Sequence, residues 1–339
     1  MKNRLHCFFC GGFIFLLLCF GFYNKTYAQH LIFGNDNYTI EAGLNFGPTF
    51  FLGDLGGHRG YGTTFLKDLN LPLTKMQEGA FITFYPNDWL GFRVAAERTY
   101  VEGADDQINT NGINELYRKE RNLDFKSTIE EAYGAIEIFP LMLFHQNSEG
   151  DYQPKFRPYV FAGLGVFHFN PMGSLTTNGV TTWYYLQPLH TEGEGFPGID
   201  SLTGKPFPKE YNLTQINIPM GFGLKYYTSD RVNISVEVLY RKTFTDYIDD
   251  VSTVYIDPSL FYKYLSPQNA AIAAQIYDKT FDSPVAGESR YAPGGQRGDP
   301  TNDDAYFSVL LKIGVRLGST SGNNYIGREK EQTRCPARF

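Results

Sequence analysis

Apolar and polar residues alternate strictly over segment after segment of this chain. Ile216, Ile218, Met220, Phe222, Leu224 and Tyr226 share one parity, while Gln215, Asn217, Gly221, Gly223 and Lys225 share the other. Successive side chains of a strand point to opposite faces, so this segment has one apolar and one polar face. The pattern recurs about eight times, in segments of roughly 9–14 residues, long enough to cross a bilayer at a tilt. A soluble β-sandwich shows the same alternation, so the period alone does not choose between sandwich and membrane barrel.

The first segment covers about residues 38–51, with Ile40, Ala42, Leu44, Phe46 and Phe50 opposite Thr39, Glu41, Asn45 and Thr49. A weaker second covers about 77–85, and Pro86-Asn87-Asp88 turns it into a third over 90–101, where Phe92 and Val94 oppose Arg93, Glu97 and Thr99. The fourth, about 128–139, sets Ala132, Ile136 and Ile138 against Glu131, Tyr133 and Glu137. The fifth, 158–169, is apolar on both parities, and Gly163 and Gly165 relieve crowding inside a narrow barrel. The sixth runs over 216–226 and turns at Thr228-Ser229-Asp230. In the seventh, Val232, Ile234, Val236 and Val238 oppose Asn233, Ser235, Glu237 and Arg241. The eighth, 307–317, sets Val309, Leu311, Ile313 and Val315 against Ser308, Lys312, Gly314 and Arg316.

The links between segments are sorted by length. With the N-terminus of the barrel in the periplasm, the links over about 52–76, 102–127, 170–213 and 244–304 face outward, and two of the three inward links are tight turns. The exception is the inner link over 140–157. Long external loops against short periplasmic turns is the asymmetry of outer-membrane barrels, and a sandwich has no reason for it. Ser266 and the alanines at 270, 271, 273 and 274 predict a short helix within the last loop.

The polar parity carries Glu41, Glu97, Glu131, Glu137 and Glu237 against Arg93, Lys225, Arg241, Lys312 and Arg316. Eight strands leave a bore that side chains fill. Charges confined there must pair, because an isolated buried ion costs several kcal/mol. The expectation is a plugged, salt-bridged lumen.

The ends fit this picture. Lys2 and Arg4, an apolar run over 8–22 and Thr26-Tyr27-Ala28 read as a signal peptide over 1–28, cleaved before Gln29. A membrane anchor is the rival, but the run is shorter than the ~20 residues of a helical span. Cys19 raises a lipoprotein alternative, against which Leu18 is bulky where a small residue is required. Cys7, Cys10 and Cys19 lie in the signal, so Cys335 is the one thiol of the mature chain and no internal disulfide can form. Losing Lys2, Arg4 and Lys25 with no acid moves the formal charge from −6 to −9, which argues against nucleic acid or an anionic membrane surface as partner. The predicted organisation is all-β: an eight-stranded antiparallel transmembrane β-barrel over 29–318 in the cell outer membrane, in contact with its lipids, and a periplasmic tail over 319–339.

Catalytic chemistry is sparse. The mature histidines are His30, His58, His145, His168 and His190. His168 with Ser174 and the acids of the last loop is the one imaginable nucleophile system, and no motif fixes their spacing. Asp246, Asp249, Asp250 and Asp257 could hold calcium with loop carbonyls, but they lack the regular oxygen spacing of a dedicated loop, which leaves solvated acids or a structural hydrogen-bond cluster. No catalytic residue, cofactor site or metal site is assigned. The expectation is a non-enzymatic barrel, against an outer-leaflet hydrolase or acyltransferase, or a surface adhesin or ligand-binding barrel.

GDLGG from Gly53, YPNDWLGFR from Tyr85, RPYVFAGLGVFHFNP from Arg157 and YRKTFTDYIDDVSTVYID from Tyr240 resemble segments of PorG-like outer-membrane barrels of the Bacteroidetes. The resemblance covers most of the mature chain. It implies an eight-stranded barrel of the type IX secretion system, or a paralogue of it, that contacts periplasmic secretion-ring proteins including a lipoprotein.

Overall fold

The computed structural model of the protein describes residues 38–55, 73–108, 113–144, 154–280 and 290–317. The signal peptide and C-terminal tail read from the sequence, Cys335, most of the first outer loop, His30, His58 and His145 lie outside these residues.

Among the described residues ten strands are formed: β1 (Thr39–Leu52), β2 (Lys75–Asn87), β3 (Leu90–Ala104), β4 (Asp124–Ile138), β5 (Phe156–His168), β6 (Met172–Thr177), β7 (Val180–Tyr185), β8 (Thr214–Tyr227), β9 (Val232–Thr243) and β10 (Ala305–Leu317). Eight of them, all but β6 and β7, pair antiparallel with their neighbours in chain order, and β10 returns to pair with β1. Closure leaves these strands no free edge, which is the only way a sheet can satisfy its backbone in lipid.

Parity places the side chains as the alternation requires. On β1 Leu44 is 66 % exposed while its neighbour Asn45 is 2 % exposed, and on β5 Leu164 is 73 % exposed. Leu44, Val94, Val160, Ile216, Phe222, Val236 and Ile313 belong to an apolar belt around the outside. Glu41, Arg93, Glu97, Glu131, Glu137, Glu237, Arg241 and Lys312 are buried within. A polar filled interior inside an apolar outer wall is the arrangement of a barrel that crosses an outer membrane.

The walls are longer than the alternation indicated. β2 begins at Lys75, β4 at Asp124 and β10 at Ala305, and β3 and β4 stay in register out to Ala104 opposite Asp124. Their upper ends pack against folded loops, so the lipid-facing period stops while pairing continues.

The outer loops carry structure that their sequences did not announce. β6 and β7 form a hairpin in the third loop, anchored where Met172 pairs with Lys126 of β4. Its turn, Asn178-Gly179, has φ values of 52° and 77°, the left-handed conformation that a two-residue hairpin turn demands. Helix α1 (Ile113–Arg121) lies in the second loop and α2 (Pro140–Phe144) in the long inner link. The last loop holds α3 (Ser259–Tyr264) and α4 (Pro267–Ile276), the latter where the alanine-rich stretch predicted it. Ser266 caps α4 by accepting from the Asn269 amide, 3.3 Å.

Candidate functional site: the lumen and its outer cap

The lumen is filled by three groups of side chains, the first two joined through Glu137. Near the end with the tight turns, Lys225 Nζ donates to Glu41 Oε1 (2.8 Å) and to the Tyr85 hydroxyl (2.7 Å), while Asn233 donates to the other oxygen of Glu41 (2.8 Å). The Tyr85 hydroxyl in turn donates to Glu137, 2.9 Å. In the next group Arg93 is bidentate on Glu237 (2.9 and 2.7 Å) and donates from Nε to Glu137 (2.5 Å). Lys312 and the Tyr159 hydroxyl also donate to Glu237, at 2.9 and 2.6 Å.

Toward the long-loop end Arg241 donates to Glu97 (2.5 Å), Glu131 (3.1 Å), Gln77 (2.8 Å) and Ser308 (2.6 Å). Asn217 completes Glu131 at 2.7 Å. Forked guanidinium groups match carboxylates in two directions at once, which lets one arginine join several strands.

Nine of the ten charges named from the polar parity therefore meet in ion pairs. The tenth, Arg316, is inside the barrel but makes a different contact: it donates to the Tyr227 hydroxyl (2.8 Å) and lies 4.5 Å from that ring. Arg157, which the alternation did not single out, lies 4.7 Å from the same ring and 3.9 Å from Asp88. The parity reading missed it because the fifth segment it gives begins at Pro158, two residues after the strand does. It also missed the neutral partners Tyr85, Tyr159, Gln77 and Asn217. Their signal was available, since each stands on the inward parity and a buried Tyr hydroxyl or amide requires a partner.

Above the lumen, the outer loops close into a cap with a core of its own. Phe125, Phe167, Phe169, Ile248, Tyr255 and Phe261 are fully or almost fully buried in one cluster. Two arginines tie the loops together. Arg121 of α1 is bidentate on Asp105 (2.7 and 2.9 Å) and donates to the carbonyls of Asp54 (2.7 Å) and Arg297 (2.6 Å). Arg297 donates to Glu192 (2.9 Å) and to the carbonyls of Asp250 (2.6 Å) and Tyr277 (3.2 Å). All four outer links are thereby joined. Asp105 and Asp54 hold the Arg121 guanidinium charged, well above the usual arginine range.

Of the two readings of the last loop's acids, the structure bears out the hydrogen-bond cluster at Asp249 and Asp250. Asp246, Asp249 and Asp250 are buried, and Asp257 is half-buried, accepting from the Ser259 amide at the start of α3 (2.9 Å). Asp250 accepts from Thr191 and Tyr211, both at 2.6 Å, and burial pushes it up to about 6. Sequence spacing could not reveal this burial, because the covering residues come from other loops.

The imagined nucleophile system is not assembled. His168 is exposed on the outer wall and its Nδ1 shares a hydrogen bond with the Thr214 hydroxyl, 3.0 Å. Ser174 instead donates to Asp124, beside Lys279. Among the described residues no group of three or more acidic, histidine or cysteine side chains is gathered to hold a metal ion.

These features define a closed, eight-stranded transmembrane barrel with an ion-paired lumen and a folded extracellular cap. No family model and no curated protein matches the chain. Among solved structures it is similar to Ail, the attachment invasion locus protein of Yersinia pestis (8 % identity, TM-score 0.31, covering 83 % of this chain and 97 % of that one). It is also similar to the outer membrane protein OprG from Pseudomonas aeruginosa (9 %, 0.29, 83 % and 96 %) and to Neisserial surface protein A (10 %, 0.28, 83 % and 97 %).

Proposed function

We propose that the protein is a non-conducting, non-enzymatic scaffold of the outer membrane, a component of the type IX secretion system or a paralogue of its barrel. The observation that carries the first half of this reading is the lumen, where Arg93, Arg241, Lys225 and Lys312 are each tied to carboxylates from other strands. A bore so filled offers no path for solute, so the work falls to the surfaces: the lipid-facing belt, the outer cap and the periplasmic ends. The secretion assignment rests on the resemblance of the GDLGG and Tyr240 stretches, and its partners are periplasmic ring proteins including a lipoprotein.

Two measurements test the reading. In planar bilayers the purified barrel gives no conductance or small irregular events, whereas large stable openings refute the scaffold. In native membranes, crosslinking recovers periplasmic secretion-ring proteins, and removing 319–339 weakens that recovery. Normal protein export in a deletion strain, with no such partner captured, refutes the secretion role. A surface-binding barrel is the second reading, favoured by the exposed hairpin β6–β7, which carries no charged residue between Met172 and Tyr185. Loss of binding to host or cell surfaces on trimming that hairpin, with export unaffected, would select it.

A further inference from the structure

Four carboxylates from separate parts of the chain meet at the outer mouth of the barrel. Asp54 comes from the first loop, Asp246 and Asp249 from the start of the last, and Asp304 from its end. Asp249 and Asp304 are buried, and Asp246 is only 7 % exposed. Backbone amides satisfy part of the group: Leu55 and Val251 donate to Asp249 (2.9 and 3.0 Å), Ile248 to Asp304 (2.8 Å) and Asp299 to Asp54 (2.5 Å). The second oxygen of Asp304 and both oxygens of Asp246 accept no hydrogen bond. That free oxygen of Asp304 points at Gly53, so closely that a Cβ there would stand 2.2 Å from it, and Asp54 is the next residue.

The cations that face the group are committed elsewhere. Arg121 of α1 is bidentate on Asp105, Arg297 of the last loop pairs with Glu192, and Arg118 of α1 reaches the Asp54 carbonyl at 3.4 Å. Glu192 of the third loop adds a further negative charge, and Ser252 is the neutral side chain beside Asp246. With Asp246, Asp249 and Asp304 out of water, the half-buried Asp54 beside them and the nearby cations committed elsewhere, the four cannot all be ionised.

We propose that Asp54, Asp246, Asp249 and Asp304 form a proton-operated latch on the extracellular cap: protonated, they let the first and last loops pack together, and losing protons to solvent drives those loops apart. The chemistry is a transfer of carboxyl protons to water or hydroxide, with no other bond made or broken. Burial is the main force raising all four; repulsion from neighbouring acids of the group adds to it for Asp246, Asp249 and Asp304, and Glu192 adds to it for Asp54 against the pull of Arg121, so that Asp246 is pushed up to about 10 and the other three upward as well. The sign follows from linkage. Acids raised in the folded state contribute stability that is present in acid and lost as pH rises through the folded values. The cap therefore loosens toward alkaline pH, opposite to a carboxylate held in an ion pair.

Hydrogen exchange of the full-length protein in detergent or nanodiscs between pH 5 and 9 tests this. The readout is the protection of the Leu55, Ile248 and Val251 amides, corrected for the intrinsic pH dependence of exchange. Protection at these sites falls about tenfold per pH unit for each proton lost on opening, while the strand amides of the lumen hold theirs. A double variant, Asp246→Asn with Asp304→Asn, loses two of the four titrating protons, so its protection falls less steeply with pH and stays above wild type at pH 9; Asp246→Asn alone, if the double variant does not fold, flattens the profile to a smaller extent. A flat wild-type profile overturns the latch. So does a parallel loss in the strand amides, which reports global unfolding. Protection at pH 9 that depends on added calcium and vanishes with chelator overturns it in favour of a cation bridge.

Discussion

Glu237 receives Arg93, Lys312 and the Tyr159 hydroxyl, and it is fully enclosed. Replacing it by Ala leaves Lys312 and the Tyr159 hydroxyl without their acceptor and Arg93 with Glu137 alone, all shut away from solvent. Glu237→Ala should destabilise the barrel by about 3–5 kcal/mol, read as a lower midpoint in denaturant titration in detergent. Arg121 acts outside the membrane, and its loss should spare that midpoint. Arg121→Ala should instead expose the outer loops, seen as faster cleavage by an added protease at an unchanged midpoint. At this scale the sequence was informative wherever charge and parity coincided, as at Glu41, Glu97 and Arg241. It was silent on Arg157, hidden at the edge of a segment apolar on both faces. It left open whether Asp246, Asp249 and Asp250 are solvated or clustered, because their covering residues arrive from loops far away in the chain.

Among the elements, the barrel strands were legible because a lipid-facing wall enforces period two along its whole length. The hairpin β6–β7 was not, since Leu175 and Tyr184 pack on a core of scattered aromatics such as Phe125, Tyr255 and Phe261 with no period of its own. Strand β5 shows why glycine was needed where the pattern seemed weakest. A Cβ on Gly163 would lie 2.0 Å from the Gly134 carbonyl oxygen of β4, and one on Gly165 2.3 Å from Asn217 Oδ1. The first obstacle is backbone, which cannot swing aside. Gly163→Ala should therefore cost about 1–3 kcal/mol through a forced separation of β4 and β5, measured as a lower temperature for loss of the compact band on an unboiled gel.

For the molecule as a whole, closure between β1 and β10 joins residues 39–52 to 305–317 across nearly the entire described chain. A chain that has inserted its first seven wall strands still has two unpaired edges, and neither can rest in lipid. Assembly is therefore obliged to wait for the C-terminal strand, and a nascent chain lacking it needs a partner to shield those edges. The two arginines of the cap impose a second delay on the far side of the membrane. Arg297 belongs to the last outer loop, so the knot cannot close until that loop has crossed as well. An outer surface tied before then would be too bulky to pass through the wall that carries it.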